Sequence, residues 1–121
     1  MACKPTRAVL VLDCVVEPEW QSLVSRWLVD SGCLCMLAWG AGCSSWDDSV
    51  DFANLEDFEY GEIPDTSLVM TTWHEREPLP EFLEFAKYSA AHPDVLLERT
   101  LILHIGSAPR EAELVRAYAE A

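Results

Sequence analysis

At 121 residues, with 21 acidic side chains against 8 basic ones and a formal net charge of -13, the chain has too few cations to hold a nucleic-acid backbone. The same imbalance sets it against an anionic membrane surface, and no apolar run nears the roughly 18 residues of a spanning helix. The length suits one domain, residues 1–121, and the 50% hydrophobic content is enough for a core without disulfide staples.

Ala8 to Leu12 is a β-branched-rich apolar run of the kind buried on both faces of a parallel sheet. Following Lys4 and Arg7, it is too short for the core of an export signal and stops at Asp13. Pro18 suits a first helical turn, and Gly32 supplies a stop. Between them Trp20, Leu23, Val24, Trp27 and Leu28 recur at helical spacing, which predicts a buried stripe. Cys33 to Trp39 reads as the second strand, closed by the turn Gly40-Ala41-Gly42. Ser44 or Ser45 is placed to cap a short acidic helix reaching about Phe58, with Asp47 and Asp48 favourable to the helix dipole in its first turn.

Ser67 to Trp73 reads as the third strand. Pro78 and Pro80 open a helix whose Leu79, Phe82, Leu83, Ala86 and Ala90 form one stripe, ended by His92-Pro93. Thr100 to Ile105 is the fourth strand and Pro109 to Ala121 the last helix. Four β-α units in sequence predict a single compact α/β domain, βαβαβαβα, with a four-stranded, mainly parallel sheet and helices on both faces, Rossmann-like or flavodoxin-like. The expected strand order is 2-1-3-4.

The five cysteines, Cys3, Cys14, Cys33, Cys35 and Cys43, are an odd set that fits reduced thiols in a cytoplasm. Cys33-x-Cys35 places both thiols on one side of a strand, a packing arrangement, and no zinc ligand set at knuckle spacing accompanies it. No metal site and no cofactor is expected. The Gly40-Ala41-Gly42 turn lacks the remaining elements of a phosphate loop, and no Gly-x-Ser-x-Gly elbow exists. Asp13 stands alone where a response-regulator receiver carries an acidic pair.

Two candidate sites remain. Ligands of open α/β sheets bind beyond the carboxyl ends of the strands. Those ends carry Asp13-Cys14, Trp39-Gly40, Trp73-His74-Glu75 and His104 to Gly106. Asp13, Trp39, His74 and Glu75 make the candidate small-molecule or enzyme site, with His74 and Glu75 able to act as acid or base and Asp13 as the orienting carboxylate. His104 lies in an apolar strand and reads as a satisfied core histidine, and His92 as a helix-end residue meeting free carbonyls.

The second candidate is the acidic stretch. Between Arg26 and Arg76 there is no lysine or arginine, yet the segment carries Asp47, Asp48, Asp51, Glu56, Asp57, Glu59, Glu62 and Asp65. A solvated face, a cation site or a docking surface for a basic partner each accounts for it, though the spacing does not match a calcium loop. Trp46 and Trp73 sit beside these charges, a composition common in binding hot spots. Trp46, Asp47, Asp48, Asp51 and Trp73 are therefore the candidate partner-binding residues. A toxin-neutralising immunity protein is one instance of this class, an interaction module and not an enzyme.

The runs Cys43-Ser-Ser-Trp-Asp-Asp-Ser-Val-Asp-Phe-Ala-Asn-Leu-Glu56 and Val69-Met-Thr-Thr-Trp-His-Glu75, with Ala38-Trp39-Gly40, resemble an uncharacterised family of small bacterial proteins known as a domain of unknown function. The resemblance covers most of the chain and implies a bacterial, cytosolic origin. It brings no activity, so no catalytic residue is carried over from it.

Overall fold

The computed structural model describes residues 4–121, so Cys3 lies outside the described residues. The chain runs β1 (Thr6–Leu12), α1 (Pro18–Asp30), β2 (Cys33–Gly40), α2 (Cys43–Asp57), β3 (Met70–His74), α3 (Leu79–Tyr88), β4 (Arg99–Ile105) and α4 (Glu111–Glu120), with a turn of 3-10 helix at Asp65–Ser67. All strand pairs are parallel in one 4-stranded sheet. This is the expected α/β architecture, a Rossmann-like or flavodoxin-like arrangement of four strands and four helices.

The strand order is β3-β2-β1-β4 and not 2-1-3-4. The chain winds outward from β1 through β2 to β3 with α1 and α2 packed against each other, then returns through α3 to lay β4 on the free side of β1. That reversal puts the topological switch between β1 and β4, and it leaves β3 at the far edge. Register confirms the arrangement: Leu10 lies between Ala38 and Leu103, and Trp39 faces His74.

Strand pleating sends alternate side chains to two cores. Ala8, Leu10, Met36 and Ala38 meet Leu28, Trp46 and Val50 on the α1/α2 face. Val9, Val11 and Leu37 meet Phe82, Leu83, Ala86 and Leu114 on the α3/α4 face. Cys33 and Cys35 fall in opposite cores and not on one side of the strand. The cause is a slip in pairing between Thr6 and Arg7, which face Cys33 and Cys35 respectively and so leave Leu34 as an extra residue. Burial pushes the Cys33 thiol up to about 12 and raises Cys35 as well.

Three helical expectations are corrected. Helix α1 buries Gln21, Ser25 and Leu28, while Trp20 is 45% and Trp27 51% exposed. Polar contact between helices decides the orientation: Gln21 Nε2 donates to Ser45 Oγ at 3.2 Å, and the Ser25 and Ser49 hydroxyls stand 2.7 Å apart. Helix α2 starts at Cys43, after Gly42 in a left-handed conformation, and not at a serine cap. Asp47 and Asp48 thus lie beyond the first turn, where the dipole no longer explains them. Trp46, expected at the surface, is 2% exposed and fills the core with Val50 and Ala53.

Strand β3 begins at Met70, later than expected, because buried Asn54 takes the preceding backbone. Its side-chain amide donates to the Ser67 carbonyl at 3.1 Å and accepts from the Val69 N–H at 3.0 Å. Helix α3 ends at Tyr88, ahead of His92. His92 donates to the Leu68 carbonyl at 2.8 Å and accepts from the Asp94 N–H, so it joins two loops and does not finish a helix.

Candidate functional site

Three groups of side chains concern function, the first two at the carboxyl end of the sheet. The first lies at the β1/β4 switch. The Asp13 N–H donates to the Ile105 carbonyl at 2.8 Å, which fixes the two strand ends together. Beyond them His104 Nε2 donates to Asp13 Oδ2 at 2.6 Å. Arg110, just before α4, approaches both Asp13 oxygens at 3.0 and 3.1 Å and forks onto Glu113 at 3.1 and 2.7 Å. The His104 hydrogen bond, followed by Arg110, holds the Asp13 carboxyl below its ordinary range. Glu113 and then Asp13 raise the Arg110 guanidinium further, so it stays charged.

Gly106 belongs to this group by what it lacks. A Cβ there would stand 2.8 Å from His104 Nε2 and 3.1 Å from Asp13 Cβ, too close for either to stay in place. Beside the network opens a shallow crevice of ≈ 700 Å³, with Val15, Trp20 and Leu103 on its apolar wall and Cys14, His104 and Gly106 on its polar one.

The second group lies two strands away. His74 Nδ1 donates to Glu77 Oε2 at 2.8 Å and its Nε2 is 3.0 Å from the Thr72 hydroxyl. Trp39 Nε1 donates to the Glu77 carbonyl at 2.7 Å. The His74 ring lies 5.0 Å from both Phe82 and Phe85, and Trp39 stacks on Phe82. The imidazole is buried among aromatics, with each ring nitrogen already beside a partner.

The four strand-end candidates are therefore divided. Trp39 and His74 are brought together around Glu77; Glu75 is exposed after β3; Asp13 joins His104 instead, with β2 and about 10 Å of sheet between β1 and β3. Sequence reasoning missed His104, Arg110 and Glu113 as partners of Asp13. The available signal was His104 at the end of its strand, and it points to Asp13 only when β4 is placed beside β1.

The third group is the acidic face. Thr71 on β3 donates to Asp51 Oδ1 on α2 at 3.4 Å. Trp73, two residues on and 49% exposed, pairs with Ala38, whose side chain lies in the α1/α2 core, so Thr71 and Trp73 share the α2 side of the edge strand. Burial, then the neighbouring Asp47 and Asp48, push the Asp51 carboxyl up to about 6. At the other end of α2, Arg26 pairs with Glu56, Asp57 and Asp30. Among the described residues no cation pairs with Asp47, Asp48 or Asp51. Among the same residues no group of three or more His, Cys, Asp or Glu side chains is gathered as a bound metal requires.

The model of one protein family matches residues 1–121, and its description is Domain of unknown function (DUF7684). The chain belongs to that family. No curated protein and no solved structure matches it.

Proposed function

Since membership of this family carries no activity with it, we propose from the surface alone that the protein is an interaction module whose acidic face receives a basic partner. The observation that carries the reading is the contact of Asp51 with Thr71 across α2/β3, two residues from exposed Trp73, with Asp47 and Asp48 neighbouring Asp51 and, among the described residues, no cation paired with any of the three carboxylates. Like charges held close cost folding energy, and after burial, the larger cause, the neighbouring Asp47 and Asp48 add to the raised proton affinity of Asp51. A Lys- or Arg-rich surface relieves the cost on binding, while Trp73 offers a flat apolar anchor beside it. Attraction of this kind raises association rates about ten- to a thousandfold and fades with salt.

A toxin-neutralising immunity protein of a bacterial cytoplasm is one instance, and such a reducing setting keeps Cys33, Cys35 and Cys43 as the buried thiols seen here. The test is capture from native extract by the intact protein and by the Asp47→Asn, Asp48→Asn, Asp51→Asn triple variant, at low and high salt. One basic protein retained by the intact chain at low salt and lost by the folded variant is the expected result. Equal retention by both forms refutes the reading.

A further inference from the structure

The network at the β1/β4 switch sits beside a crevice that the acidic face does not use. We infer that this crevice binds a small hydrophobic organic amine: an ammonium group on an aromatic or branched apolar body.

Place and size fit a ligand. Ligands of doubly wound sheets lie outside the strand ends where the winding reverses, here β1 and β4, and ≈ 700 Å³ is within the range of small-molecule pockets. The wall explains an otherwise unfavourable exposure. Trp20 and Val15 are left 45% and 73% open to solvent although the α1/α2 core lies close by, and both line this crevice with Leu103. An apolar body seated there covers all three.

Charge selects the rest of the ligand. No lysine or arginine lines the crevice, and in the adjoining network Arg110 is already shared between Asp13 and Glu113. Glu17 lines the crevice and, among the described residues, has no cation of its own. A phosphate or carboxylate finds no free positive group here. An ammonium finds Glu17, and the indole of Trp20 adds a cation–π surface. His104, bonded to Asp13 through Nε2, completes the polar side of the crevice.

The experiment is an NMR titration of the whole chain with phenethylammonium chloride and, separately, with sodium phenylacetate, which has a similar body and the opposite charge. The expected result is saturable shifts confined to residues 14–20 and 103–106 and to the Trp20 indole, with a Kd near about 1 mM for the amine. Phenylacetate does not saturate. Glu17→Gln weakens the amine roughly fivefold, and Trp20→Ala removes binding while circular dichroism stays native. Absence of saturable shifts at these positions, equal affinity for the two probes, or unchanged affinity in both variants overturns the inference.

Discussion

Two histidine–carboxylate pairs stand at the same end of the sheet, and their surroundings separate them. His74 with Glu77 lies under Phe82 and Phe85, its second nitrogen beside Thr72. His104 with Asp13 opens on a crevice, its carboxylate shared with Arg110. The same two chemical groups thus act as a clamp on the start of α3 in one place and as a polar rim in the other. Residue type alone does not distinguish a structural pair from an available one; burial and remaining valence do.

Removing the aromatic cover is the strongest way to break this contrast. Phe82→Ala is expected to cost about 3–5 kcal/mol in urea unfolding, since Phe82 is fully buried and touches both His74 and Trp39. If it costs under about 1 kcal/mol, the His74 pair is not held by its cover. The counterpart at the His104 pair is Gly106→Ala. Its methyl group displaces the His104 ring and crowds Asp13, with a loss of about 1–3 kcal/mol and moved His104 imidazole resonances in NMR spectra at fixed pH.

Acid titration sharpens the comparison further. Asp13 has a folded value below its unfolded 3.8, so the stability it adds is present above that pH and disappears as pH falls through the folded value. Asp13→Asn should cost about 1 kcal/mol near pH 7, allowing for solvent screening at this part-exposed site, and the gap from the native protein should close below about pH 3.8. Asp51 has the opposite sign. Raised to about 6, it opposes folding at neutral pH and ceases to do so as pH falls from about 6 towards 3.8. Asp51→Asn should therefore stabilise the chain by about 0.5 kcal/mol at pH 7, a figure reduced for its exposure, and by nothing near pH 3.5. Urea midpoints measured across this pH range check both variants.

The strands were legible because continuous β-branched runs between turn residues have few other uses, and Ala8 to Leu12 and Thr100 to Ile105 both fall inside strands. Their order was not legible. Nothing in a local pattern says on which side of β1 the last strand returns, and placing β3 beside β1 made His74 the apparent partner of Asp13. With β4 there, His104 takes that role.

The helix faces failed for a different reason. Periodicity favours the greasier stripe, so Trp20 and Trp27 outweighed Gln21 and Ser25, yet hydroxyl and amide contacts to α2 set which side of α1 is covered. In α2 the stripe Cys43, Trp46, Val50 and Ala53 was present in the sequence, but the acids beside Trp46 drew it towards the surface. Of the three aspartates Asp51 meets β3 directly, at Thr71, because the α2/β3 contact brings distant segments side by side.

The slip in pairing opposite Leu34 has a practical outcome for labelling chemistry. Cys33 and Cys35 occupy different cores and Cys43 is buried, so a thiol reagent reaches none of them in the folded chain. Cys14 is the exposed thiol among the described residues, and it stands on the rim of the β1/β4 crevice. With Cys3 replaced by serine, a maleimide dye therefore attaches at one defined point, and its emission becomes a direct optical gauge of that crevice.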